Sequence, residues 1–134
     1  MLADLIPRRF GAPGFLFAAA ASGDSDRSAE TLGPLSLATG VELNVRFPAK
    51  NFGQLAEHLV SKPEYADNLT VICWHHECIP GLARALGVPG GVVNAAPPIL
   101  PDGKWDAAVF DLFWRIDGAG ALASLTVTKQ EDVQ

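Results

Sequence analysis

The sequence predicts an α/β domain with a mainly parallel sheet flanked by helices and an antiparallel hairpin at its C-terminal end. The continuous apolar run 15–21 and the largely apolar segment 69–74 are typical of strands buried on both faces of a parallel sheet. Segments with apolar residues at helical spacing follow these runs and alternate with strands along the chain. Near the C-terminus, two strand-like segments flank the turn D-G-A-G, which indicates a hairpin.

Length and composition predict a single domain over residues 1–134. The chain is 49% apolar and 19% charged, a balance that permits one buried core and differs from that of a disordered chain. A net charge of -5 and ten scattered Lys and Arg residues argue against a nucleic-acid partner. The two cysteines lie beside two histidines. We therefore expect reduced thiols in a cytoplasmic protein, although the sequence leaves a bridge between them open.

The N-terminal region raises the alternative of a secretory or twin-arginine signal. Arg8 and Arg9 precede F-G-A-P-G-F-L-F-A-A-A-A-S, in which basic residues lead into an apolar run and then into small residues. Glycine and proline interrupt the run, and the remaining segment 15–21 is too short to cross a bilayer. We interpret that segment as a buried strand and expect no membrane partner.

The residues after this strand predict a helix that ends at Gly40. The polar stretch S-G-D-S-D supplies candidate N-cap residues, and apolar side chains at helical spacing give one buried face. The pair Gly33-Pro34 inside the helix predicts a kink or an early break. The following segment 41–47, V-E-L-N-V-R-F, alternates apolar with polar residues and predicts a half-exposed strand at a sheet edge.

Two further helices are predicted on either side of the second apolar run. Leucine, alanine and valine recur at helical spacing within 51–60. After the run at 69–74, Pro80 begins a short helix that Gly87 ends.

The C-terminal third is predicted to contain one loop and the hairpin. Residues 88–104 are rich in proline and glycine, which predicts an irregular segment. Strands at 109–116 and 122–128 then form the hairpin.

In this fold class, ligands bind beyond the carboxyl ends of the parallel strands, where loops lead into helices. One such loop, 22–27, carries Arg27 after the first buried strand, and another, 75–79, carries His75 after the second. A guanidinium and an imidazole at such strand ends could converge on one anion. The sequence therefore predicts a phosphate-like ligand.

The stretch V-I-C-W-H-H-E-C-I-P also raises the alternative of a metal site. Zinc requires three or four ligands in a tetrahedral arrangement. Adjacent side chains leaving a strand point in opposite directions, so His75 and His76 do not easily share one ion. His75 and Glu77 match the H-x-E that opens the zinc deaminase signature, but its P-C-x-x-C half is absent. We predict no metal and no cofactor.

A cysteine nucleophile is a further alternative. Cys78 precedes a helix and has two histidines nearby, conditions that lower the pKa of a thiol. The fixed loop or dyad that such enzymes need is not found in the sequence. We interpret Cys78, like Cys73, as a packing residue.

Three segments together resemble the histidine phosphatase superfamily, which has the phosphoglycerate-mutase-like fold. V-I-C-W-H-H-E-C-I-P-G-L-A-R-A-L-G resembles the family's second-histidine motif, with His75 at the family position. F-L-F-A-A-A-A-S-G-D-S-D-R-S-A-E-T is similar to the strand and helix that carry a phosphate-binding arginine, here Arg27. K-W-D-A-A-V-F-D-L-F-W-R-I-D resembles a late aromatic strand of a bacterial branch. The resemblance runs from about Leu5 to about Thr128. It implies that Arg27, His75 and Ser25 bind phosphate and that Arg27 and His75 are also catalytic.

The sequence departs from the family in one motif. No R-H-G, which carries the family's nucleophilic histidine, occurs in it, and Met1 to Phe10 resembles the end of the family's first helix. The resemblance thus implies a shortened domain that lacks the first strand. Unless the remaining strands close up or a partner chain fills the gap, this loss would leave unpaired backbone groups and exposed apolar surface. We therefore predict a homo-oligomer or reduced stability.

The implied activity is that of a phosphomonoester hydrolase or mutase acting on a phosphorylated small molecule. Without the nucleophile we expect this chain to be inactive, and whether it is an enzyme stays open. Glu42 and Glu57 lie near the family's acid/base position without a matching motif, and His58 is predicted to be a surface or boundary residue. The alternative function is a non-catalytic domain that binds a phospholigand or other anion, or that mediates oligomerisation.

Overall fold

The fold is known from a computed structural model that describes residues 6–8, 10–20, 27–65, 68–106, 112–117 and 123–129. Its elements are β1 (Phe15–Ala18), α1 (Arg27–Thr39), β2 (Leu43–Asn44), α2 (Phe52–Ser61), β3 (Thr70–Cys73), α3 (Ile79–Ala85), α4 (Gly90–Ala95), β4 (Leu112–Asp117) and β5 (Ser124–Lys129). Residues 6–8 and 10 are also helical. Short 3-10 turns lie at Ala49–Asn51, Pro63–Tyr65 and His76–Cys78. The predicted α/β class is confirmed.

The first three strands form a parallel sheet in the order β2-β1-β3. Leu16 in the central strand β1 pairs with Leu43 on one side and Val71 on the other. The pairing with both neighbours makes β1 the central strand of this sheet. β2 is the predicted edge strand but has only two residues. β3 is half-buried rather than buried, because among the described strands only β1 lies beside it.

Side chains from the two faces of β1 enter two separate cores. Phe17 packs on one face against α2 and α3, and Leu16 packs on the other against α1. The first core contains the buried residues Phe17, Ala19, Leu55, Ala56, Trp74 and Leu82, and the second contains Ile6, Leu16, Ala18, Leu32 and Leu35. Because alternate strand residues point to opposite faces, burial on both sides requires the continuous apolar run seen in the sequence. The helices therefore flank both faces, as predicted.

The sequence predicted a kink or an early break at Gly33-Pro34, but α1 continues through Pro34, so the helix does not break there. Proline removes one intrahelical hydrogen bond, but Leu32 and Leu35 beside it are both buried against the sheet. Full burial of a leucine side chain contributes about 1.5–3 kcal/mol, which offsets that loss. Gly40, with φ of 73°, donates its N–H to the carbonyl of Ser36 at 2.9 Å and ends the helix as predicted.

The C-terminal strands β4 and β5 form the predicted antiparallel hairpin, with Asp117 opposite Ser124. Among the described strands the hairpin is a sheet of its own and does not extend the parallel one. It packs through Trp114, Ile116 and Leu125 on the region of α3 and α4.

α4 lies inside the segment 88–104, which was predicted to be irregular. This prediction is wrong for Gly90–Ala95. Two glycines lower helix propensity there, but Val93 is fully buried, and this tertiary contact stabilises the helix. Neither α4 nor any other helix in the described ranges is long and apolar enough to cross a membrane.

Candidate functional site

The chains that leave the three parallel strands meet at one edge of the sheet. Ala18 and Cys73, the last residues of β1 and β3, are partners in the register. Just beyond them, the N–H of Ala19 donates to the carbonyl of Cys73 at 3.2 Å. The N–H of Ala20 donates to the carbonyl of Phe47 at 2.9 Å. The chain leaving β1 is thus held between the chains leaving β2 and β3.

His75 lies two residues beyond β3, where the chain turns towards α3. Its carbonyl accepts a hydrogen bond from the N–H of Cys78 at 2.9 Å, which closes a 3-10 turn. The side chain of His75 is half-buried, whereas His76 and Glu77 are exposed. Of these three polar side chains, only His75 is partly enclosed by the protein.

The first turn of α1 contacts the end of β3. Burial raises the pKa of the Cys73 thiol, and hydrogen bonds from the hydroxyls of Ser28 and Thr31 counteract part of this effect. Ser28 is 5% exposed and directly follows Arg27, the first residue of α1. Because Cys73 precedes His75 by only two residues, the contact brings the backbone of Arg27 and the His75 turn to the same edge of the sheet.

Ser25, the third residue for which the family resemblance implies phosphate binding, lies outside the described residues.

The two cysteines lie on opposite faces of the sheet. Cys73 packs with the core under α1, and Cys78 packs with the core under α2 and α3. Both are free thiols, and this placement removes the disulfide that the sequence had left open. Burial and then the Glu77 carboxylate raise the pKa of Cys78, while Lys50 opposes them. A raised pKa lowers the thiolate fraction, which supports packing rather than nucleophilic roles.

The placement of the cysteines also bears on the metal alternative. Because Cys73 and Cys78 face different cores, they do not converge with His75 on one ion. Within the described ranges, no three His, Cys, Asp or Glu side chains are grouped so that they could hold a metal.

His58 is a boundary residue of α2, as predicted, and its imidazole packs among aromatic rings. Its Nε2 lies 2.8 Å from the hydroxyl of Tyr65, and its ring centroid lies 5.5 Å from that of Phe47. Burial lowers the pKa of His58, and the charges of Lys62 and Arg46 add to this effect. His58 is therefore a hydrogen-bonded structural histidine and not part of the His75 turn.

One contact at this edge has no signal in the sequence. The indole N–H of Trp74 donates to the carbonyl of Ala49 at 2.9 Å, and the two residues are 25 apart in the chain. The bond joins the end of β3 to the 3-10 turn at Ala49–Asn51, which precedes α2. This turn is a third component of the edge, beside the chains that lead to Arg27 and His75.

Comparisons with protein-family models, with curated proteins and with solved structures found no match. The fold and site define an α/β domain whose parallel strands end beside a half-buried histidine.

Proposed function

We propose that this chain is a histidine-phosphatase-like domain that binds a phosphate-like anion at the carboxyl edge of its sheet. Arg27 and His75 are the proposed ligand-binding residues, with Ser25 as a further candidate. The chain on its own does not turn over phosphomonoesters, because its sequence contains no R-H-G. Its ligand is a phosphorylated small molecule or a similar anion.

The observation that carries the proposal is the register pairing of Ala18 with Cys73. It makes β1 and β3 direct neighbours with their carboxyl ends at one edge, where ligands of parallel α/β sheets bind. The contact of Ser28 with Cys73 further supports a common site, because each of these residues is close in sequence to one proposed ligand-binding residue. An anion site made from Arg27 and His75 requires that the segments carrying these two residues lie close together.

The half-buried position of His75 supports it as the residue that meets the anion. A hydrogen bond between an imidazole and a charged phosphate oxygen is charge-assisted and about twice as strong as a neutral one. Partial enclosure strengthens such a bond, because less solvent screens it. His76, which is exposed, lacks this advantage.

The proposal is tested by titrating the protein with inorganic phosphate and with orthovanadate by isothermal titration calorimetry. His75→Ala is the informative variant, and His76→Ala is its matched control one residue away. One lost charge-assisted hydrogen bond predicts a dissociation constant about tenfold higher in H75A. We expect H76A to bind like the wild type. Circular dichroism establishes that both variants fold.

Hydrolysis of an aryl phosphate is measured with the same three proteins. We expect no turnover above that of buffer. Turnover that is lost in H75A would overturn the claim of inactivity and make the chain an enzyme. An absence of phosphate and vanadate binding by the wild type, or equal weakening in H75A and H76A, would reject the site itself.

A further inference from the structure

Residues 47–52 cross the carboxyl edge of the sheet and are anchored at three points. The carbonyl of Phe47 accepts from Ala20, just beyond β1, and the carbonyl of Ala49 accepts from Trp74, just beyond β3. At the third point, the ring of Phe52 packs so closely on Gly81 of α3 that a Cβ there would lie 2.7 Å from Cε1 and Cζ.

Lys50 lies between the second and third of these anchors. It is exposed and is the only charged residue between Phe47 and Phe52. The backbone around it is fixed further by a hydrogen bond from the N–H of Asn51 to the carbonyl of Pro48 at 2.9 Å. The position of the lysine backbone beside the edge is therefore set by the fold, and only its side chain is free to adjust.

The charge of Lys50 acts on the thiol of Cys78, which lies at the end of the His75 turn. Burial and the adjacent Glu77 raise the pKa of Cys78, whose N–H closes that turn on the carbonyl of His75, and Lys50 opposes them. The Cys78 thiol thus experiences the carboxylate of Glu77 and the ammonium of Lys50. Glu77 is two residues from His75, and its carboxylate would repel an anion bound there, a repulsion that a nearby cation would reduce.

We infer that Lys50 is an additional anion-binding residue of the site, which reaches the ligand from the turn before α2 and offsets the charge of Glu77. The inference depends on the proposed function, because it assigns a further residue to the same site. The combination of Lys50 with Arg27 and His75 favours a dianionic ligand, such as a terminal phosphate group, over a singly charged anion.

The test measures the dissociation constant for inorganic phosphate in Lys50→Ala and in Lys104→Ala. Lys104 is the matched control, since it is also exposed but directly precedes Trp105, whose ring packs on that of Trp114 in β4. Loss of one solvent-exposed ion pair predicts a dissociation constant about fivefold higher for K50A and little change for K104A. The difference should shrink in high salt. Lys50→Arg should keep most of the affinity.

A second variant should change the dissociation constant for phosphate in the opposite direction. Glu77→Gln removes the opposing carboxylate, and we expect phosphate to bind about fivefold more tightly. Dimethyl phosphate, a monoanion, should be affected less than phosphate by K50A.

The outcomes separate this inference from the proposed function. If H75A weakens phosphate binding but K50A and K104A behave alike, the role of Lys50 is wrong and the site stands. If the wild type does not bind phosphate, or H75A binds it as tightly as the wild type does, the proposed function fails and the inference fails with it.

Discussion

The indole N–H of Trp74 donates a hydrogen bond to the carbonyl of Ala49 across 2.9 Å. Trp74 is 7% exposed and directly precedes His75, while Ala49 directly precedes Lys50. One hydrogen bond thus fixes the relative position of the two segments that would hold an anion. The contribution of this hydrogen bond to the free energy of unfolding can be measured without a ligand.

Trp74→Phe is expected to lower the free energy of unfolding by about 1–3 kcal/mol, because it leaves the Ala49 carbonyl without this donor and reduces the buried side chain. Trp114→Phe is the control. Its indole also donates to a carbonyl, that of Pro97, at 2.9 Å, but this bond is exposed. Urea denaturation of both variants measures the difference. A loss in W114F equal to that in W74F would contradict the buried role of Trp74.

Alanine substitutions of two glycines in neighbouring helices should change the free energy of unfolding in opposite directions. Gly81→Ala places a Cβ 2.7 Å from the ring of Phe52, so the ring has to move, at a cost of about 1–3 kcal/mol. Gly53→Ala in α2 meets nothing within 4 Å and should stabilise the protein by about 0.5–1 kcal/mol through helix propensity. Thermal denaturation measures both effects. A stabilising G81A would show that α2 and α3 do not pack as described.

The pH dependence of stability should reveal the environment of His58. Burial and nearby positive charges lower its pKa from the usual 6.5, so around that pH the unfolded chain binds more protons than the folded one. The contribution of His58 to stability is therefore complete above about pH 6.5 and decreases as the pH falls below that value.

Urea denaturation between pH 7.5 and 5 tests this, with His58→Gln as the variant and His76→Gln as the exposed control. We expect the free energy of unfolding of H58Q to depend less steeply on pH than that of the wild type. H76Q should have the same pH dependence as the wild type. A slope that H58Q leaves unchanged would show that another group is responsible.

Several elements were predictable because their signals are local. The apolar run at Phe15–Ala18 requires burial on both faces, and the strand has cores on both sides. Gly40 and Gly87 ended helices as predicted, both with positive φ. Adjacent side chains at a strand end were expected to point in opposite directions, and His75 is half-buried whereas His76 is exposed.

Other features depend on contacts that a local pattern does not contain. α4 has glycine at its first two positions, and its stability derives from the burial of Val93 rather than from propensity. The separate sheet formed by the hairpin, and the pairing of β1 with β3, are relations between distant segments. Lys50 was not recognised from the sequence, since its place at the edge depends on the bond between Ala49 and Trp74.

The central claim, that His75 meets a phosphate-like anion, is tested most directly by NMR of the histidine rings. The imidazole ¹⁵N resonances of the wild-type protein are assigned with single histidine variants and followed while inorganic phosphate is added. We predict a saturable shift of the His75 resonances and no comparable shift of the exposed His76. Resonances of His75 that do not move, or that move no more than those of His76, would contradict the account.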